Sequence, residues 1–153
     1  MRSAAIAVLL AVTMPALAVE MEQIDAGDHT QIIVQNESIH MTVIPEYGGR
    51  ITSLIDKRVD VDVVWSDGMD GGILDDRDDF TGTPYTFRTQ LAKEGAEAHV
   101  ILTGEAHGGY RITKHLVVFD GKPMVEQRIT VENGSQRPRK FWQRNFFRPG
   151  GNA

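Results

Sequence analysis

The densest run of chemically capable side chains lies between Ser66 and Pro84. Asp67, Asp70, Asp75, Asp76, Asp78 and Asp79 fall there among Gly68, Gly71 and Gly72. Clustered carboxylates on glycine turns suit Ca²⁺, which takes about six to eight oxygen ligands. Asp67, Asp70, Asp75 and Asp76 are the candidate ligands. The spacing is not that of an EF-hand, because Met69 and Gly71 occupy the third and fifth positions counted from Asp67. A solvated acidic loop is the plainer alternative. A carboxylate pair for glycoside cleavage needs a fixed separation, which adjacent Asp residues on a loop do not supply.

A second set of candidates could hold a sugar. The guanidinium forks of Arg50, Arg144 and Arg148 can grip a carboxylate or a pair of hydroxyls. Arg50 directly follows Gly48-Gly49, where missing side chains let a ligand approach the backbone. Trp65, Tyr85, Trp142, Phe146 and Phe147 offer rings on which the C–H face of a pyranose can pack. Trp142 lies between Phe141 and the polar pair Gln143-Arg144, which predicts a position on a cleft. Arg50, Trp142 and Arg144 are therefore the candidate substrate-binding residues. The alternatives are ion-paired surface arginines and core aromatics. His29, His40, His99, His107 and His115 show no metal-ligand spacing. His99 and His115 alternate with apolar residues and so belong on the polar face of their strands. With no cysteine and no Gly-x-Ser-x-Gly, neither a thiol nor a nucleophile-elbow serine is on offer, and no catalytic residue is assigned.

These side chains must be positioned by strands. Apolar residues recur with period two along almost the whole chain after residue 19, and no stretch carries the helical i, i+3, i+4, i+7 pattern. Strands are predicted over Thr30–Gln35, Ile39–Val43, Ile51–Ile55, Val61–Trp65, Tyr85–Leu91, Ala98–Leu102, Ile112–Val118, Val125–Val131 and Lys140–Phe147. Asn36-Glu37-Ser38, Asp120-Gly121 and Asn133-Gly134 are turn sequences between them. The expected fold class is all-β, an antiparallel β-sandwich. Ser66–Pro84 is the longest stretch without a predicted strand.

The chain has 153 residues, Lys+Arg 16, Asp+Glu 21 and a formal charge of −5. That length suits one domain, and the acidic balance excludes general nucleic-acid binding, which needs a basic face. Arg2, the apolar run Ala4–Val12 and the small residues Ala16 and Ala18 form a secretory signal peptide, residues 1–18. The domain proper is then 19–153, in the periplasm or secreted, and without a membrane anchor after cleavage.

Two segments resemble the galactose mutarotase-like family, the aldose 1-epimerases and their carbohydrate-active relatives. In Ile39–Trp65, a strand runs into Pro45 and Gly48-Gly49, and the return strand carries Ser53-Leu54. In Tyr110–Phe147, Val131, Asn133, Ser135 and Pro138 match a second family signature. The resemblance implies a β-supersandwich and a carbohydrate partner. Domains of this family are usually longer, so the resemblance leaves three expectations open: a fragment that is the N-terminal half of a larger domain, a truncated gene product, or a minimal half-sandwich. Its catalytic Glu lies later than this sequence extends. The counterpart of its Asn-His-x-Tyr-Phe strand, Trp142–Phe147, has no histidine. The expected function is an exported carbohydrate-binding or carbohydrate-processing accessory domain without epimerase activity. A truncated epimerase or polysaccharide-active enzyme is one alternative. Another is an interaction module that pairs through an open sheet edge, for instance as a homodimer.

Overall fold

The computed structural model describes residues 18–67, 70–75, 83–106, 109–138, 140, 145–147 and 149–150. The strands are β1 (Glu20–Asp25), β2 (Thr30–Gln35), β3 (Ile39–Ile44), β4 (Arg50–Asp56), β5 (Val61–Asp62), β6 (Ser66–Asp67), β7 (Asp70–Gly71), β8 (Ile73–Asp75), β9 (Thr86–Leu91), β10 (Glu97–Ala106), β11 (Tyr110–Phe119), β12 (Val125–Asn133) and β13 (Asn145–Phe147). Among the described residues the only helical turns are two short 3₁₀ pieces, Pro45–Tyr47 and Lys93–Gly95. The fold is all-β and every strand pair is antiparallel, as the period-two pattern predicts.

One sheet has the order β1-β2-β3-β4-β8-β13, with β5 also paired to β4. The other has the order β12-β11-β10-β9, and β6-β7 is a separate two-stranded hairpin. Alternation sends one face of each strand inward. Ile32 and Val34 from β2, Met41 and Val43 from β3, and Ile51 from β4 meet Ala98, Val100 and Leu102 from β10 and Ile112, Leu116 and Val118 from β11 in one core. Val19 joins that core, and its N–H donates to the Gly95 carbonyl at 2.9 Å. The expected signal segment lies outside the described residues, apart from Ala18.

Two differences from the sequence expectation have physical causes. β1 carries Glu20, Glu22, Gln23 and Asp25, so it lacks an apolar alternation; it forms as an edge strand by pairing with β2 from Asp25↔Thr30 to Glu20↔Gln35. Its charges also make that edge a poor template for a second chain. The Ser66–Pro84 stretch, expected to be without strands, contains β6, β7 and β8, each two or three residues long. Segments that short show no periodicity; β6 and β7 pair with each other, and β8 takes its partners from β4 and β13.

Polar ties join the sheets where apolar packing ends. Asn36, only 4% exposed, lies in the β2–β3 turn. Its Oδ1 accepts from the N–H groups of Ser38 and Ile39 at 2.8 Å each. Its Nδ2 donates to the carbonyls of Phe119 at 2.7 Å and Lys122 at 2.9 Å, in the β11–β12 turn of the other sheet. Net values near 1 kcal/mol for each of these bonds make Asn36→Ala destabilising by about 4 kcal/mol. Asn36→Asp keeps the acceptor bonds and removes both donors across the sheets, so it should lose a large share of the same stability. Urea unfolding of the two variants measures both; an unchanged midpoint in each would show that the tie contributes nothing.

Candidate functional site

The site grows out of the turn between β3 and β4. Pro45–Tyr47 ends in Gly48 (φ 77°) and Gly49 (φ 60°), two successive left-handed residues, which a non-glycine pair would strain. The turn is anchored from the other sheet. Lys114 falls on the inward row of β11 and is 2% exposed, and its Nζ donates to the Gly48 carbonyl at 2.7 Å and the Gly49 carbonyl at 3.1 Å. The same ammonium stands 4.7 Å from the centre of the Tyr85 ring, a cation–π distance. Tyr85 itself is core. A Cβ at Gly104 would lie 2.6 Å from its ring, so that glycine is what makes room.

Arg50 begins β4 immediately after this turn. It pairs with Ile44, while Ile51 pairs with Val43, so it belongs to the face opposite the core residues Ile51 and Val43. It is nevertheless only 1% exposed, because the β7–β8 chain lies across it: a Cβ at Gly72 would come within 2.8 Å of the Arg50 stem. Its Nε and Nη1 are buried without a hydrogen-bond partner among the described residues. Burial pushes the guanidinium below its ordinary pKa, and the negative charge of Asp70 opposes the shift. Arg50 is thus a buried cation whose Nε and Nη1 have no hydrogen-bond partner among the described residues, and not an exposed ion-paired strand residue.

The hairpin that covers Arg50 also presents Trp65. A Cβ at Gly71 would lie 2.5 Å from the indole, so the hairpin backbone packs on that ring, yet Trp65 stays 38% exposed. Trp65 borders a depression of about 230 Å³ shared with Asp60, Val61, Asp62, Val64, Ser66 and Gly150. Asp62 is committed to the fold, accepting from Ser53 Oγ at 2.6 Å and from the Leu54 and Val64 N–H groups at 3.0 Å each. Ser66 Oγ likewise donates to the Thr52 carbonyl at 2.6 Å. Asp60, in a left-handed turn at φ 56°, is the carboxylate of this rim that no fold hydrogen bond among the described residues engages.

Of the sequence candidates, the structure gathers Arg50, Trp65, Asp67 and Asp70 around this one hairpin. Asp67 and Asp70 are direct register partners. Asp75 ends β8 opposite Asn145, and Asp76, Trp142 and Arg144 lie outside the described residues. No group of three or more acidic or histidine side chains fit for a metal occurs among the described residues.

A larger groove, about 480 Å³, lies on the outer face of the four-stranded sheet. Thr86, Thr103, Thr113 and Thr130 stand in register across all four strands there. Three of its charges pair with one another, since Arg111 donates to Glu105 at 2.8 Å and sits 3.6 Å from Glu132. Beside it, Glu97 Oε1 lies 3.1 Å from His99 Nε2, and His99 Nδ1 lies 2.9 Å from His115 Nε2. The sequence put both histidines on the polar face but gave no sign that they meet, because the pair is diagonal across β10 and β11.

No protein-family model matches this chain, and no curated protein matches it. The meaning of the site therefore rests on its own chemistry.

Two outcomes follow from that chemistry. A buried guanidinium whose Nε and Nη1 lack acceptors, with only the charge of Asp70 to offset its desolvation, opposes folding, so Arg50→Met, which keeps the stem and removes the charge, should raise stability by about 1 kcal/mol. A clear loss of stability in denaturant titration would mean that the guanidinium has an acceptor when folded. The second concerns acid. Burial lowers the His115 pKa, repulsion from His99, Arg128 and Arg88 adds to it, and Glu126 opposes. The unfolded chain then binds the extra proton more readily, so this contribution is complete above about pH 6.5 and is lost as pH falls below it. The thermal midpoint should drop between pH 7.5 and 5.5 by less in His115→Gln than in the parent; equal drops would contradict the assignment.

Proposed function

We propose that this chain is an exported carbohydrate-binding or carbohydrate-processing accessory β-sandwich domain of galactose mutarotase-like type, acting by recognition and not by epimerisation. The observation that carries the reading is Trp65: a large aromatic ring left 38% exposed at the rim of a concave, carboxylate-bearing depression. Sugars present C–H faces to such a ring and hydroxyls to carboxylates, and Asp60 supplies a carboxylate on the same depression. The depression, about 230 Å³, accommodates one sugar unit. Arg50, with its unused donors one glycine away from the Trp65 contact, supports recognition of a saccharide that carries an acidic group. On this reading its unmet donors are kept at the expense of stability because a ligand or its ordered water completes them. Trp142 and Arg144 remain candidate contributors to the same ligand.

The test is a panel of neutral and acidic saccharides, titrated into the protein and followed by thermal shift and Trp fluorescence. A ligand that binds only the folded state raises the midpoint by mass action. Trp65→Ala should weaken that ligand about tenfold, equivalent to about 1.4 kcal/mol, and quench the fluorescence response. Absence of any saccharide response at millimolar concentration, or undiminished affinity in Trp65→Ala, would overturn the proposal.

A further inference from the structure

The Glu97–His99–His115 chain on the outer face of the four-stranded sheet has no part in the sugar reading. Its proton positions follow from the partners. A carboxylate only accepts, so His99 Nε2 carries the proton given to Glu97 at 3.1 Å, and neutral His99 turns its Nδ1 lone pair toward His115. In the bond of 2.9 Å between the rings, His115 Nε2 is then the donor. The rings are tilted by 35° with centres 5.1 Å apart.

We infer that His99 and His115 form a two-imidazole site for a divalent transition-metal ion, with Cu²⁺ preferred. Two nitrogens at right angles around one ion, each about 2.05 Å from it, lie about 2.9 Å apart. That is the separation already present between His99 Nδ1 and His115 Nε2. A tetrahedral ion such as Zn²⁺ needs about 3.3 Å, so the geometry favours a tetragonal ion, and Cu²⁺ also leads the affinity order for nitrogen ligands. Binding requires one proton move: His115 shifts its hydrogen from Nε2 to Nδ1, and both rings stay neutral. Each ring turns so that its lone pair aims beside the line joining the nitrogens. Glu97 is already hydrogen-bonded to the far nitrogen of His99, the arrangement that orients ligating imidazoles and raises their basicity.

The surroundings permit the charge. The register rows through the two histidines contain Gln90, Val117 and Glu126 beside His99, and Arg88, Ile101 and Arg128 beside His115. Glu97 and Glu126 balance Arg88 and Arg128. The His99 side chain is 18% exposed, so the ion is reached from solvent. No third histidine or carboxylate completes the set among the described residues, which leaves the other positions to water or to an added ligand. Thr113 and Ile101, neighbours of His115 in β11 and β10, line the adjacent groove, so those open positions border a concavity.

The experiment is a titration of the full chain with Cu²⁺ alone in a non-coordinating buffer at pH 7.5, followed by calorimetry and electron paramagnetic resonance. One Cu²⁺ per chain with two nitrogen donors in a tetragonal spectrum is expected. His99→Gln and His115→Gln should each remove one nitrogen and weaken binding at least tenfold. Glu97→Gln should keep both nitrogens while weakening binding by about tenfold. Tighter binding of Zn²⁺ than Cu²⁺, fewer than two nitrogens in the parent spectrum, or undiminished binding in the His99→Gln/His115→Gln double variant would each overturn the site. Fewer than two nitrogens in the parent spectrum overturns the site even if a single variant fails to fold, and the double variant assigns the nitrogens to His99 and His115.

Discussion

The ammonium of Lys114 crosses from the four-stranded sheet to the Gly48–Gly49 turn at the head of β4, and the rest of the site is built on that crossing. It satisfies two inward carbonyls of a doubly left-handed turn, which apolar packing alone would leave unpaired. A buried charge is tolerated only where it is well bonded, so the turn, the ammonium and the Tyr85 ring specify one another. Gly104 leaves the space in which Tyr85 lies, and Tyr85 in turn donates its N–H to the Pro45 carbonyl at 3.0 Å. Asn36 performs a comparable service at another junction, joining the β2–β3 and β11–β12 turns. Between these polar ties the sandwich is held by branched aliphatic side chains that need no directional partner.

Arg50 inherits its position from this arrangement. The turn delivers it to the face of β4 that lacks core partners, and the β6–β7 hairpin together with Gly72 closes over it. The result is a guanidinium removed from water with donors unmet beside an exposed indole. Structural residues usually avoid such a state, because the desolvation of a charge is costly when nothing accepts its hydrogens. Recognition sites accept it, because the missing acceptor can come from a ligand. The neighbouring carboxylates divide by the same accounting of hydrogen bonds: Asp62 is occupied by three donors of the fold, whereas Asp60 is held out on the rim by its turn.

The outer face of the four-stranded sheet shows how register creates chemistry. Thr86, Thr103, Thr113 and Thr130 are scattered in the chain, yet three antiparallel pairings set them in one row. The same pairings bring Arg111 between Glu105 and Glu132, and set His99 against His115. An outward-facing row of this kind contributes little to the core, so its residues were free to be of types that bond to one another.

Period-two alternation was enough to identify β2, β3, β4 and β9 to β12, and even the inward parity of Lys114, which shares a face with Ile112, Leu116 and Val118. It was enough because side-chain direction in a strand is a local property. β1 and the short strands β6, β7 and β8 were not legible: the first has a single apolar residue on each face, Met21 and Ile24, and the others are too brief to hold a period. Arg50 was legible as a candidate from its place after Gly48-Gly49, but its burial was not, since the atoms that cover it come from Gly71-Gly72, more than a strand away in sequence. The composition and alternation of this chain determine an all-β sandwich and which face of each strand turns inward. Only the tertiary structure decided that Arg50 is sealed, that Trp65 is left open and that two histidines face each other, because each depends on pairings between residues that the local pattern does not relate.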